Sequence, residues 1–462
     1  MGAGTDRLIA RGAAGLARRM VGSGPMIRRP IAILTLLTAL NFVNYLDRYE
    51  LAAVLPRVQA ELGFSSFVAG LLATVFLLSF LATCPIFGIL GDRMDRKTLL
   101  ALGAFGWSAA TIATGMSRSV VTLVIARAFV GIGEASFTTL APTVIDDVAP
   151  VDKKSRWLGI FSIAGPVGSA LGYIVGGAVE KKAGWHAAFF VGGVPGIVLG
   201  ILVLLMHEPP RHERNRLNLL EVLRTLVRIP DYRSAVMGYA ALTAAVGGFA
   251  YWAPSFLFRR FHIELAAANF RFGLVTVVAG AIATLLGGAA GDAAQKRAER
   301  RLRAERDEAG GGPTAPVYRE MKRSVPPTEE EVNDAKATAL LRVCAMGSAA
   351  AVPLGVACFL SPSPTLFFVF AFLCEIGIFL SNAPINTVLL RVVPSSLRAS
   401  AMAVCITSIH LFGDMWSPAI VGRLADLTGD EKIQLAMMPL PLAFFLSALF
   451  WWPFGRLKKN GR

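Results

Sequence analysis

Four ionisable residues lie where ionisable residues are costly. Asp47 and Arg48 fall in an apolar run that opens near residue 30, and Arg127 and Glu134 fall in another over 120–143. A charge at the middle of a membrane span costs about 2.5–3.5 kcal/mol on insertion scales, so such groups persist where they face a cavity, a partner or a moving proton. Asp47 and Arg48 are adjacent, point to different sides of a helix and need not pair with each other. Arg127 and Glu134 are seven residues apart, two turns on one helical face that would turn towards a cavity. The pattern reads as a switch in which Arg48 or Arg127 pairs alternately with Asp47 and Glu134. Protonating a carboxylate frees its arginine and changes which helices are held together. The plainer reading is a static ion-pair network that holds a bundle.

A later stretch adds Glu375, Asn382 and Asn386 in one apolar run, then His410 and Asp414 four residues apart in the next. A histidine in a span can titrate near neutral pH, although a lone one is more often a hydrogen-bonded packing residue. No cluster has metal-ligand spacing, no nucleophile elbow stands out and no phosphate-binding Gly-x-x-x-x-Gly-Lys-Ser/Thr loop is present. ATP-driven pumping and a membrane enzyme are therefore disfavoured, and no cofactor other than a proton is expected. The five cysteines all lie in or beside apolar segments and read as packing residues.

The elements that must position these groups are membrane helices. The 462-residue chain is 54% hydrophobic and 17% charged, and its charges cluster between long apolar runs. Runs of about 20 apolar residues are bilayer spans. The first half holds spans at 30–55, 64–91, 98–117, 120–143, 155–180 and 185–206. The second holds 233–258, 268–293, 336–360, 364–392, 396–425 and 434–454. Residues 1–29 form an N-terminal arm, 207–232 a soluble linker, 294–335 a mobile polar loop and 455–462 a tail. Within that loop Thr328 and the glutamates after it predict a short helix over Thr328–Ala337. The fold class is all-α, with twelve transmembrane helices in two pseudo-symmetric six-helix bundles.

The net charge of +15 raises nucleic acid as a partner, but most lysines and arginines fall in alternate loops. That bias sets membrane orientation and places both termini in the cytoplasm. Glycines and prolines punctuate the fifth span (Gly165, Pro166, Gly168, Gly172) and the corresponding eleventh (Gly413, Pro418, Gly422), as tight packing or as a bending element.

A loop string repeats between the halves. Gly88 leads Asp92 by four, and Arg96 and Lys97 follow at four and five; Gly288, Asp292, Lys296 and Arg297 repeat the spacing. Such a duplication is the mark of a two-bundle membrane protein. A carboxylate at a helix end can approach the positive N-terminus of another helix. The string therefore predicts cross-half latches at the cytoplasmic side, Asp92 near Ser395 and Ser396, and Asp292 near Ser155.

Gly88, Asp92, Arg96 and Lys97 resemble the loop signature of the major facilitator superfamily, with Asp95 standing where that signature usually has glycine. Within it, Asn44-Tyr45-Leu46-Asp47-Arg48, the stretch Arg127 to Ala135, and His410-Leu411-Phe412-Gly413-Asp414 with Ser417-Pro418 resemble the Spinster family, as a bacterial member. The resemblance covers essentially the whole chain. It implies alternating access, movement of sphingosine-1-phosphate-like or lysophospholipid-like amphiphiles, and proton linkage at Asp47, Arg48 and Glu134. Arg48 and Arg127 would meet a phosphate, and Phe42, Phe129, Phe137 and Phe379 would line an apolar wall. The substrate cavity is expected to take Asn44, Tyr45, Phe129, Phe137, Glu375, Asn382, Asn386, His410 and Asp414, and the cytoplasmic gate Gly88, Asp92, Arg96, Lys97 and Asp292. The expected protein is a monomer in a bacterial inner membrane, surrounded by its lipids. The alternative is a carrier of the same fold for drugs, sugars or organic anions.

Overall fold

In hydrocarbon every backbone N–H and C=O must be bonded within the protein, and a helix does this inside one segment. The computed structural model describes residues 27–150, 153–208, 219–309, 327–429 and 432–453. Twelve helices in it are long and apolar enough to span a bilayer. They are α1 (Pro30–Leu62), α2 (Ser66–Arg93), α3 (Arg96–Gly115), α4 (Val120–Val148), α5 (Arg156–Ala183) and α6 (Trp185–Leu204), then α7 (Pro230–Phe261), α8 (Leu265–Glu305), α9 (Glu329–Phe359), α10 (Pro364–Arg391), α11 (Ser400–Thr428) and α12 (Ile433–Trp451). The described β structure is one isolated bridge, in which Ile27 meets Met206. The end holding residue 27 and residue 453 is called the base, and the opposite end the crown.

Two polar stretches are more helical than their composition predicts. The eighth helix continues to Ala309 instead of ending near 293. The ninth starts at Glu329 and runs unbroken into its span, with Thr328 and Glu331 forming a reciprocal capping box. The short helix expected there is the first turns of α9. Residues Leu219–Arg228 of the expected linker form an amphipathic helix that buries Val222 and Leu226. The arm over 1–26, the prolines 209–210, the loop core 310–326 and the tail 454–462 lie outside the described residues.

Each half packs internally, α1 on α5 and α3 on α6 in the first, α7 on α12 and α9 on α10 in the second. The halves meet where α2 packs on α11, α5 on α8 and α1 on α7. Glycines set the closeness of these faces. A methyl group at Gly172 of α5 would strike the carbonyl of Leu46 on α1, and one at Gly70 of α2 the carbonyl of Pro418 on α11. Pro166 leaves α5 continuous from Lys154 to Ala183. By contrast α10 breaks between Phe379 and Asn382, and α11 widens into a π-turn over His410–Asp414. Single π-turns inside α-helices recur at functional sites.

Candidate functional site

Adjacent residues on a helix diverge by about 100°, and the chemistry of α1 depends on that divergence. Arg48 turns towards α4, where its Nη2 and Nε donate to Glu134 Oε2 at 2.6 and 3.2 Å. Its guanidinium also stacks on Tyr45, Phe76 and Phe80, at 5.1, 5.0 and 5.6 Å from the ring centroids. Glu134 is fully buried, whereas the Arg48 side chain keeps 17% of its surface exposed. The ion pair thus has a closed carboxylate side and an open guanidinium side. Arg127 stacks on the same Phe76 at 5.0 Å.

Asp47 turns the other way. Its Oδ2 accepts from Thr111 Oγ1 of α3 at 2.5 Å, and its Oδ1 is buried without a bond, as is Glu134 Oε1. Of the pairings expected from sequence, the structure forms Arg48 with Glu134 and gives Asp47 a hydroxyl. An arginine leaving Glu134 would strand a buried charge.

The aromatic wall differs from expectation. Phe137 is fully buried against Trp107 and Phe161 inside the first half, so it packs the core and does not line a cavity. Phe129 is 57% exposed in a groove between α3 and α4, away from the aromatic rings on Arg48. Asn44 is buried inside the bundle with both side-chain amide atoms unpartnered. Phe76 and Phe80 of α2, themselves buried, are the rings that stack on Arg48 beside Tyr45. Sequence contained no signal for this choice, because a phenylalanine in a span can face lipid, core or cavity with equal ease.

In the second half Glu375 accepts from Thr276 Oγ1 of α8 at 2.9 Å, a buried link between two helices. Asn382 opens the second segment of α10, and Asn386 Nδ2 donates back to its carbonyl at 2.9 Å. His410 Nδ1 lies 2.9 and 3.1 Å from the Asp414 carboxyl oxygens within the π-turn. The His410 ring approaches Phe80 of the first half edge-on, 6.4 Å between centroids. His410 and the Arg48 platform therefore share one aromatic residue across the two halves.

The loop residues separate into two groups. Arg96 is buried and donates to Asp147 Oδ2 at 2.6 Å and to Glu208 Oε1 at 3.4 Å. Glu208 also takes the backbone N–H groups of Arg96 and Lys97, at 2.9 and 3.1 Å, and so caps α3. These described partners belong to α4 and to the segment just after α6, so Arg96 here holds elements of the first half together. Gly88 lies beside Thr139 of α4, again within that half. Asp92 and Asp292 are exposed at the base. Of their expected acceptors, Ser396 is exposed, and the side chains of Ser395 and Ser155 lie outside the described residues.

A carboxylate does cross between the halves, at the crown. Asp426, near the end of α11, accepts the backbone N–H groups of Ser66 and Phe67 at 2.7 and 2.8 Å and so caps α2. Around it Thr74 donates to the Met415 carbonyl at 2.6 Å, Tyr251 to Ala69 at 2.6 Å, Tyr173 to Ala250 at 2.7 Å and Asn269 to Ala53 at 2.8 Å. Arg259 donates to Gln59 Oε1 at 2.6 Å. The crown is shut. The base half of α2 has no buried residue from 81 to 90, and among the described residues the bonds between the halves gather at the crown, the arrangement of a base-open state.

The Major Facilitator Superfamily profile matches residues 37–304, and that of the Organic Anion Transporter Polypeptide (OATP) family residues 351–429. Protein spinster homolog 1 of Homo sapiens is 33% identical over 435 residues, covering 88% of this chain and 75% of its own length. Protein spinster of Drosophila melanogaster is 31% identical over 408 residues, 85% of this chain and 61% of its length. Among solved structures, a bacterial homolog to the human lysosomal transporter Spinster, in an inward-facing and unoccupied conformation, superposes with a TM-score of 0.75 at 21% identity, covering 94% of this chain and 98% of that one. The nucleoside transporter NupG superposes with a TM-score of 0.64 at 12% identity, over 92% of this chain and 100% of that one.

Proposed function

The chain belongs to the Spinster family of the major facilitator superfamily, a multi-pass membrane transporter, and we propose that it moves lysophospholipid-like or sphingosine-1-phosphate-like amphiphiles by proton-linked alternating access. One observation carries the reading: Arg48 presents an open guanidinium edge, beside an aromatic wall, from an ion pair whose carboxylate is closed off. A lipid with a phosphate head and an apolar tail fits a cation set on aromatic faces.

In this mechanism headgroup phosphate competes with Glu134 for Arg48. A carboxylate that loses its guanidinium in a buried site takes up a proton. Lipid binding and proton uptake thereby become linked without touching each other, and linkage makes the effect reciprocal. The lysine and arginine bias towards the base supports a cytoplasmic base, and in this mechanism the crown opens as the base closes. When the base shuts, Asp92 approaches the start of α11, as Asp426 approaches α2 at the crown.

Uptake into proteoliposomes tests the proposal, with a labelled lysophospholipid, a sugar and a cationic dye offered at a series of pH values. Lysophospholipid accumulation that depends on pH is the expected result. Movement of only the sugar or the dye would overturn the lipid assignment. The OATP match over residues 351–429 favours organic anions as the second reading, and Arg48 would serve them too. A labelled tail-less organophosphate separates the two.

A further inference from the structure

The switch described above leaves Glu50, a buried acid of its own helix, unused. Glu50 of α1 is fully buried, and neither of its carboxyl oxygens has a hydrogen-bond partner. It continues the stripe Asn44–Asp47–Glu50, in which each residue is at most 1% exposed. Beside the stripe, Ser108 Oγ and Trp107 Nε1 of α3 are buried without partners as well, as are both amide atoms of Asn44. Neighbouring helices accommodate the acid with glycines. A methyl group at Gly192 of α6 would strike the Glu50 carboxyl, and one at Gly176 of α5 would lie 3.3 Å from its Cγ.

Charge around Glu50 does not balance. Within α3 no ionisable residue occurs after Lys97, and within α6 none after His186, which faces Glu61 at 3.5 Å. The acid of α5 nearest along that helix, Glu180, is taken by Arg57 at 2.9 Å. The charged groups whose fields reach Glu50 are Asp47, one turn away on its own helix, and Arg127 of α4. Glu134 holds Arg48, which leaves Arg127 as the remaining guanidinium whose field reaches Asp47 and Glu50. Three carboxyls stand against two guanidiniums. An unpaired ionised carboxylate in the membrane interior is far more costly than a neutral acid. Glu134 has an arginine and Asp47 has the Thr111 hydroxyl; Glu50 has no donor.

We propose that Glu50 is a second proton-carrying acid, which holds the proton that balances this cluster in the base-open state and exchanges it with Asp47 one turn away. In the exchange the Glu50 O–H bond breaks, the proton passes to the Asp47 carboxylate, and Glu50 is left as the carboxylate in the field of Arg127. Water bridging the stripe's unpartnered atoms would carry it. The exchange rests on the proton-linked reading of the function; the protonated state of Glu50 does not.

Infrared spectroscopy of the purified full chain at neutral pH reads that state directly, through the carbonyl stretch of a protonated carboxyl and its shift in heavy water. Glu50→Gln is expected to remove a band present in the wild type, and Gly192→Ala, which presses on the same carboxyl, to move it. Wild-type spectra from both variants would overturn the proposal. Glu50→Gln is further expected to keep the wild-type melting temperature and to flatten the pH profile of labelled lysophosphatidylcholine uptake. An unchanged profile with the band lost would overturn the exchange. A wild type whose uptake ignores pH would instead refute proton-linked transport, and the band would still decide the charge state.

Discussion

The crown and the base use the same chemistry to opposite ends. At the crown, hydroxyls and an amide reach across to backbone carbonyls of the other half, and Asp426 caps a helix that begins 360 residues earlier in the chain. At the base, Glu208 caps α3 and Arg96 holds Asp147 within one half, while in the other Arg391 donates to Gln295 at 2.7 Å and to Asn333 at 3.2 Å. Bonds between halves define a state, and bonds within a half build the rigid body that moves. Crown bonds are mostly neutral, worth about 0.5–1.5 kcal/mol each. A handful of them approaches the roughly 5.5 kcal/mol that carries an equilibrium from 1:99 to 99:1. An interface of that size can hold a state and still release it.

This contrast orders the expected effects of substitution. Arg48→Ala should abolish uptake, since it removes the cation and strands Glu134, a break that typically destabilises by about 3–5 kcal/mol. The double variant Arg48→Ala/Glu134→Gln should recover the melting temperature without recovering uptake. Gly70→Leu places a side chain against Pro418 and Ala419. Overpacking of about 1–3 kcal/mol should open the crown, seen as faster labelling of a cysteine placed at Thr74. Asp426→Asn weakens the cap on α2 by about 1 kcal/mol, raising the crown-open fraction around fivefold. Asp92→Asn should act in the opposite sense and favour the base-open state, which distance measurements between the halves would report. The same sign from both carboxylates would break the comparison. Phe129→Ala, in the groove between α3 and α4, should change uptake by less than about twofold.

Much of the fold was legible because a bilayer fixes how long an apolar run must be. The ends of α8 and α9 were not, since charge ends a span without ending a helix. Residues 294–309 are rich in alanine, arginine and glutamate, all good helix formers, and Thr328 starts a helix that continues across the membrane. At the site, Asp47, Arg48, Arg127 and Glu134 announced themselves by their cost in hydrocarbon. Phe76, Phe80, Thr111 and Thr276 did not, because hydroxyls and aromatic rings are tolerated almost anywhere in a span. The carboxylate-on-helix device was legible in kind from Asp92 and Asp292, but the structure shows it at the other end, in Asp426. No local pattern links Asp426 to Ser66; only the packing of α11 on α2 brings them together.

In the proposed mechanism the Arg48–Glu134 pair couples proton occupancy to which end is open. The pair is formed here with the base open, so ionised Glu134 favours that state, and the preference should fade as pH falls and Glu134 is protonated. Spin labels at exposed Ile89 of α2 and Leu285 of α8, with Cys84 replaced by serine, measure the base opening in lipid nanodiscs across a pH series. The account expects the long-distance population of the wild type to shrink on acidification, and Glu134→Gln to show the shrunken population at every pH. A Glu134→Gln variant that keeps the wild-type population and its pH dependence would contradict it.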